Sequence, residues 1–141
     1  MNGKSKNQVL ALAETRWKGM WMNRQQVLSR LGNHCQVLYS EGPIHSWDLK
    51  SKFKIKNLFG SFESIDNIIL DNSPNLFFRY LKVKSYDKLI LKMHAKRWST
   101  QFSEDPDSRK ILYVFDPSYI DFVNHFNYDI FSTDLNSIFT Q

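Results

Sequence analysis

Apolar residues gather along this chain in short continuous runs separated by polar stretches. Val9-Leu10-Ala11-Leu12-Ala13 is the first, and its lack of alternation predicts a strand covered on both faces, as in a parallel sheet. After the polar loop from Glu14 to Met22, Asn23 and Gln26 have capping-box spacing, and Val27, Leu28 and Leu31 supply the apolar stripe of a helix over 24–31. Gly32 stands where a left-handed C-terminal cap would end that helix, and Cys35-Gln36-Val37-Leu38-Tyr39 predicts a second strand. Strand, helix and strand within about thirty residues make a βαβ unit, whose crossover is right-handed.

In the middle of the chain, Lys50, Lys52, Lys54 and Lys56 alternate with Phe53 and Ile55, which predicts an edge strand guarded by lysines. Asn67-Ile68-Ile69-Leu70 is a further candidate strand, and Asp71-Asn72-Ser73-Pro74-Asn75 has turn composition. A helix is expected over 85–102, with Leu91, Ala95, Trp98 and Phe102 on one face and Lys88, Lys92 and Lys96 on another. Ile111-Leu112-Tyr113-Val114-Phe115 is a second buried-strand run. Ser118 and Asp121 suggest a capped helix over 119–126, and Tyr128-Asp129-Ile130-Phe131-Ser132 a last strand. This order points to an α/β doubly wound parallel sheet in a single domain.

The chain has 141 residues, 42% of them hydrophobic and 23% charged, enough apolar material for one core and too little length for two domains. The single cysteine, Cys35, excludes an internal disulfide and any cysteine-based zinc cluster, so a reducing cytoplasmic setting is the default. No apolar run approaches the roughly 20 residues of a membrane span. Glu14, Arg16 and Lys18 also cut short anything resembling a signal leader, leaving Met1 to Asn7 as a frayed terminus. The net charge of +5 is unevenly spread: residues 1–97 carry 17 basic and 7 acidic side chains, residues 98–141 carry 2 and 7. A basic front half suits an anionic partner or a solvated surface.

Ligands of open parallel sheets lie beyond the carboxyl ends of the strands. The residues there are Arg16, Trp17, Gly19 and Trp21 after the first strand, Glu41, Gly42, Pro43 and His45 after the second, and Asp116 and Asp134 after the later ones. Glycine lets a ligand approach the backbone, indoles stack on sugars or bases, and a carboxylate can act as a base. Neither a G-x-G-x-x-G nor a phosphate-loop motif occurs, and the four histidines lack metal-ligand spacing. Tryptophans such as Trp17 and Trp21 are more often packing residues than stacking platforms, Cys35 reads as inert, and His94 as a satisfied residue at the core border.

The run from Glu14 to Leu31, with its Trp17-Lys18-Gly19-Met20-Trp21 loop and paired Gln25-Gln26, resembles the N-terminal domain of bacterial GT-B glycosyltransferases. The branch concerned includes enzymes of teichuronic-acid and exopolysaccharide biosynthesis. Gln36 to Pro43, Ile111 to Pro117 and Tyr128 to Asp134 are similar to its later strand ends, and the likeness touches most of the chain in order. The resemblance implies a Rossmann-like, acceptor-side half of a two-domain enzyme that moves a sugar from a nucleotide sugar to a cell-envelope or extracellular glycan. It further implies an acceptor site from Arg16, Trp17, Gly19, Trp21, Arg24 and Glu41, candidate bases Asp116 and Asp134, and no metal or cofactor in this half.

The family's Glu-rich donor motif has no counterpart here, and Leu135 replaces an acidic residue usual after the equivalent of Asp134. The expectation is a chain without the donor-binding C-terminal domain, inactive alone, with a glycan or lipid-linked acceptor as partner. Its basic stretches Lys50 to Lys56 and Lys88 to Lys96, with Arg24, would suit an anionic inner-membrane face or a lipid-pyrophosphate acceptor by long-range attraction. The alternative is a non-catalytic α/β module that binds a ligand or protein. Nucleic acid is disfavoured, because the aromatic residues fall mostly at apolar periodic positions.

Overall fold

β1 (Gln8–Leu12) is buried at every residue, because parallel partners flank it on both sides. These are β2 (Gln36–Ser40) and β5 (Lys110–Val114), which place Leu38 and Leu112 beside Leu10. β4 (Ile68–Asn72) extends the sheet in parallel beyond β2, and β6 (Ile130–Thr133) does so beyond β5. β3 (Ser61–Ile65) closes one edge antiparallel to β4. This computed structural model describes residues 7–13, 17, 23–65, 67–102, 108–115 and 117–133. Its six strands run in the order β3-β4-β2-β1-β5-β6, a single α/β domain that is Rossmann-like in the broad sense.

Alternate side chains of the central strand feed two cores. Val9 and Ala11 pack with Val37, Tyr39 and Leu28 of α1 (Asn23–Leu31). Leu10 and Leu12 pack with Leu91, Ala95 and Trp98 of α3 (Lys84–Ser99), and with Tyr119 and Phe122 of a 3-10 helix, Pro117–Asn124. The two layers follow from topology. β1 steps to β2 on one side, and the later half of the chain steps to β5 on the other, so right-handed crossovers lay their helices on opposite faces. Among the described residues, no helix is long and apolar enough to cross a membrane.

Four expectations change. The stretch 50–56 is no strand: a 3-10 turn (Ser46–Asp48), the four-residue α2 (Leu49–Lys52) and a second 3-10 turn (Ile55–Asn57) occupy it, because the hairpin partner β3 already fills the sheet edge beside β4. The sheet is therefore mixed rather than purely parallel. Gly32 has no positive φ; it is small because a Cβ there would lie 2.4 Å from the carbonyl oxygen of Asn67. Asn67 itself takes the left-handed conformation (φ 67°) in the short turn between β3 and β4, one that Asn tolerates better than most residues. On α1, Gln25 is fully buried while Val27 is half exposed, so the inward stripe is Gln25, Leu28 and Leu31 rather than Val27, Leu28 and Leu31. The helix expected over 119–126 is the 3-10 helix, and Asp121 Oδ2 accepts a hydrogen bond from Arg79.

Candidate functional site

The carboxyl ends of β2 and β4 open into a cleft of about 910 Å³. Its floor is set by Asp71, a strand-end carboxylate whose side chain is fully buried. Oδ2 accepts hydrogen bonds from Ser40 Oγ (2.7 Å), Ser73 Oγ (2.8 Å) and the Trp98 indole Nε1 (2.7 Å), while Oδ1 accepts from Arg97 Nη1. Four donors, one of them the cation Arg97, satisfy the buried charge, as a carboxylate at this depth requires. Arg97 also lies over the Phe62 ring, 4.0 Å from its centroid. Asp71 is thus a lock joining β2, β4 and α3, with its oxygens already occupied.

From Ser40 the chain turns through Gly42, whose N–H donates to Ser40 Oγ (2.9 Å). Gly42 has φ 74°, and a Cβ would fall 2.7 Å from the Tyr119 ring, so both conformation and space require glycine. The Tyr119 hydroxyl donates to the Glu41 carbonyl, holding the turn from the other side. Beyond it the backbone pairs with Arg79: Arg79 N–H donates to Ile44 O (2.8 Å), and Ser46 N–H to Arg79 O (2.8 Å).

The Arg79 guanidinium is 4% exposed. It forks onto Asp87 with bonds of 3.0 and 2.6 Å and reaches Asp121 at 3.1 Å. Burial alone would lower its pKa, but the hydrogen bonds and charges of the two aspartates outweigh this and raise it. Beside it His45 stacks on Trp47, centroids 4.3 Å apart and planes 6° apart. Burial first, then the charge of Arg79, lowers the His45 pKa, which keeps the imidazole neutral at pH 7.

The sequence-derived residues divide into three groups. Trp17 and Glu41 both line the cleft, at the carboxyl edge as expected. Trp17 is nonetheless buried rather than partly exposed, with its ring 5.0 Å from that of Tyr39 at an edge-to-face angle of 62°. It is a core residue bordering the cleft, because the Tyr39 side chain beneath offers a large aromatic surface to cover. Arg24 stands on the first turn of α1, its side chain outside the described set. Arg16, Gly19, Trp21, Asp116 and Asp134 lie outside the described residues. β1 and β5 end side by side, Leu12 opposite Val114, and it is these ends that Arg16 and Asp116 follow in sequence.

Several cleft residues escaped the sequence reading. Turn composition places Asp71 in a loop, whereas it lies in β4 and follows an apolar run just as Asp116 does in sequence. Arg79 carried a signal in standing alone within Leu76-Phe77-Phe78-Arg79-Tyr80-Leu81. Lys52, Lys54 and Lys56, expected on an edge strand, line the cleft together with Trp47, which the sequence reading missed, because their segment folds as turns. His94 is 1% exposed and so belongs to the core rather than its border. Its Nε2 bonds the Phe77 carbonyl at 2.9 Å, and its buried Nδ1 has no partner. Cys35 is buried, and burial raises its thiol pKa, as for an inert packing residue.

The cleft thus combines ammonium groups, carboxylates, a phenol and one exposed indole. This chemistry suits a polar, hydroxyl-bearing ligand better than an apolar one. Among the described residues, no three His, Cys, Asp or Glu side chains are placed to hold a metal ion. No family model, no curated protein and no solved structure matches the chain.

Proposed function

We propose that this cleft binds a hydroxyl-rich, anionic acceptor such as a glycosyl phosphate, and that the domain is the acceptor-side half of a glycosyltransferase. The observation that carries the reading is that Lys52, Lys54 and Lys56 line the same cleft as Glu41 and Tyr119, at the carboxyl edge of a Rossmann-like sheet. Lysines attract phosphate, the carboxylate accepts sugar hydroxyl protons, and the exposed face of Trp47 offers a stacking surface for a sugar ring. In the complete reaction a nucleotide sugar held by a separate donor domain would pass its glycosyl group to the acceptor hydroxyl. Asp116 or Asp134 would take the proton from that hydroxyl as general base.

Titration calorimetry with water-soluble glycosyl phosphates, neutral oligosaccharides and nucleotide diphosphate sugars tests this. Glycosyl phosphates should bind best, and Glu41→Gln should weaken them roughly tenfold by removing a charged hydrogen-bond acceptor. Nucleotide sugars binding more tightly than glycosyl phosphates would make this the donor half. Silence across the panel would remove the cleft as a sugar site.

A further inference from the structure

The connection from β2 to β3 leaves apolar side chains in solvent where a crossover of this sheet would normally bury them. Its three short helical turns contain no buried residue. Ile55 is 82% exposed, Phe59 74% and Trp47 66%, and Phe53 is also exposed. Lys50, Lys52, Lys54 and Lys56 are interleaved with them, and four lysines against the lone Asp48 leave residues 46–59 with a charge of +3. The described contacts give this segment one ion pair, Lys52 to Asp48 at 3.7 Å.

The segment is nevertheless held in place. Asn75 N–H donates to Asn57 O (3.0 Å), Leu76 N–H to Leu58 O (3.1 Å) and Asn75 Nδ2 to Lys54 O (3.2 Å). Gly60 has φ 74°, and a Cβ there would fall 2.7 Å from the Asn72 carbonyl oxygen and 2.8 Å from Pro74, so glycine is required where the segment meets β4. His45 covers one face of Trp47 and leaves the other outward. The apolar tips are thus presented by a fixed backbone.

We infer that residues 46–59 dock this protein onto an anionic phospholipid bilayer, with Trp47, Ile55 and Phe59 entering the interface and the lysines lying against lipid phosphates. The amphipathic indole settles at the headgroup level, phenyl and aliphatic side chains enter the acyl boundary, and lysine stems carry their charge alongside. Two other occupants fit less well. A second copy would set one +3 surface against another. Single-stranded nucleic acid stacks on aromatic faces and leaves Ile55, the most exposed apolar side chain of the segment, without a role. Trp47, Lys52, Lys54 and Lys56 also line the cleft, whereas Ile55 and Phe59 do not, so the double serine variant tests this inference apart from what the cleft binds.

Flotation of the full chain with vesicles tests it. On phosphatidylcholine vesicles containing one-third phosphatidylglycerol the protein should float, on phosphatidylcholine alone it should largely not, and binding should fall steeply with salt. Ile55→Ser/Phe59→Ser should weaken binding roughly tenfold or more, and Lys54→Gln about fivefold. Circular dichroism confirms that the variants fold. No flotation with the anionic vesicles, or undiminished flotation of the double serine variant, overturns the proposal. So does finding that these substitutions abolish self-association or oligonucleotide binding while lipid binding is absent.

Discussion

Between β4 and β5 the chain crosses the sheet as α3, four and a half turns long, with Ile90, Leu91, His94, Ala95 and Trp98 buried at spacings of three and four. Between β2 and β4 it crosses as short turns and the hairpin strand β3, and the turns 46–57 bury nothing. The first crossover supplies one of the two cores; the second supplies a cleft wall and a surface. In α3 apolar residues recur at the helical period, so one face can reach the sheet. Along 50–56 apolar residues alternate with lysines, and with the sheet edge already occupied that period fits no element the fold provides. Periodicity decided which crossover became core, and its absence freed the other for contact with something outside the chain.

The largest expected effect breaks the α3 side. Trp98→Ala removes a fully buried indole and one of the donors on Asp71, and should cost about 3–5 kcal/mol in urea unfolding. A loss under 1 kcal/mol would mean that α3 is not the core crossover. Next comes the joint between the two regions. Asp87→Ala leaves the buried Arg79 guanidinium with only the partly exposed Asp121, and should cost about 3 kcal/mol, less than Trp98→Ala and more than any change within 46–59.

A smaller effect comes from pH. Burial holds His94 neutral by lowering its pKa, against the opposing pull of the Phe77 carbonyl. Below about pH 6.5 the unfolded chain takes up a proton that the folded one refuses, so stability falls as pH drops, by up to about 1.4 kcal/mol per unit from this residue. The pKa values of His45 and His125 are lowered too and act in the same direction. His94→Gln should therefore flatten the pH dependence of the urea midpoint without abolishing it; an unchanged slope would contradict the buried neutral imidazole. The smallest effect sharpens the contrast. Ile55→Ser/Phe59→Ser should change stability by no more than about 0.5 kcal/mol, because neither side chain packs against the fold.

The legible parts of the fold were those in which one local pattern admits one structure. Val9 to Ala13, Cys35 to Tyr39 and Ile111 to Phe115 lie within a residue of β1, β2 and β5, because continuous apolar runs of three to five residues are too short for helices and too apolar for loops. The face Leu91, Ala95, Trp98 and Phe102 is buried as its spacing implied. β3 was not legible. Ser61-Phe62-Glu63-Ser64-Ile65 has no strand pattern of its own and pairs only because the turn at Asn67 folds it back on β4. The cleft was half legible for a similar reason. The strand-end rule finds Trp17 and Glu41, whereas Arg79, Asp87 and Asp121 meet across loops, and no spacing along the chain encodes that meeting.

The sheet order also governs events during synthesis. β1 finds its first neighbour once Ser40 has emerged, but its other neighbour begins at Lys110, with Gln8 opposite Lys110 in the final register. At about 5–20 residues per second, the 70 residues from 40 to 110 take roughly 4 to 14 s to make. Throughout that interval the most apolar strand of the domain has one bare edge of unpaired N–H and C=O groups, open to the same strand of a neighbouring nascent chain. A ribosome stalled within this window would hold the protein in its most aggregation-prone form.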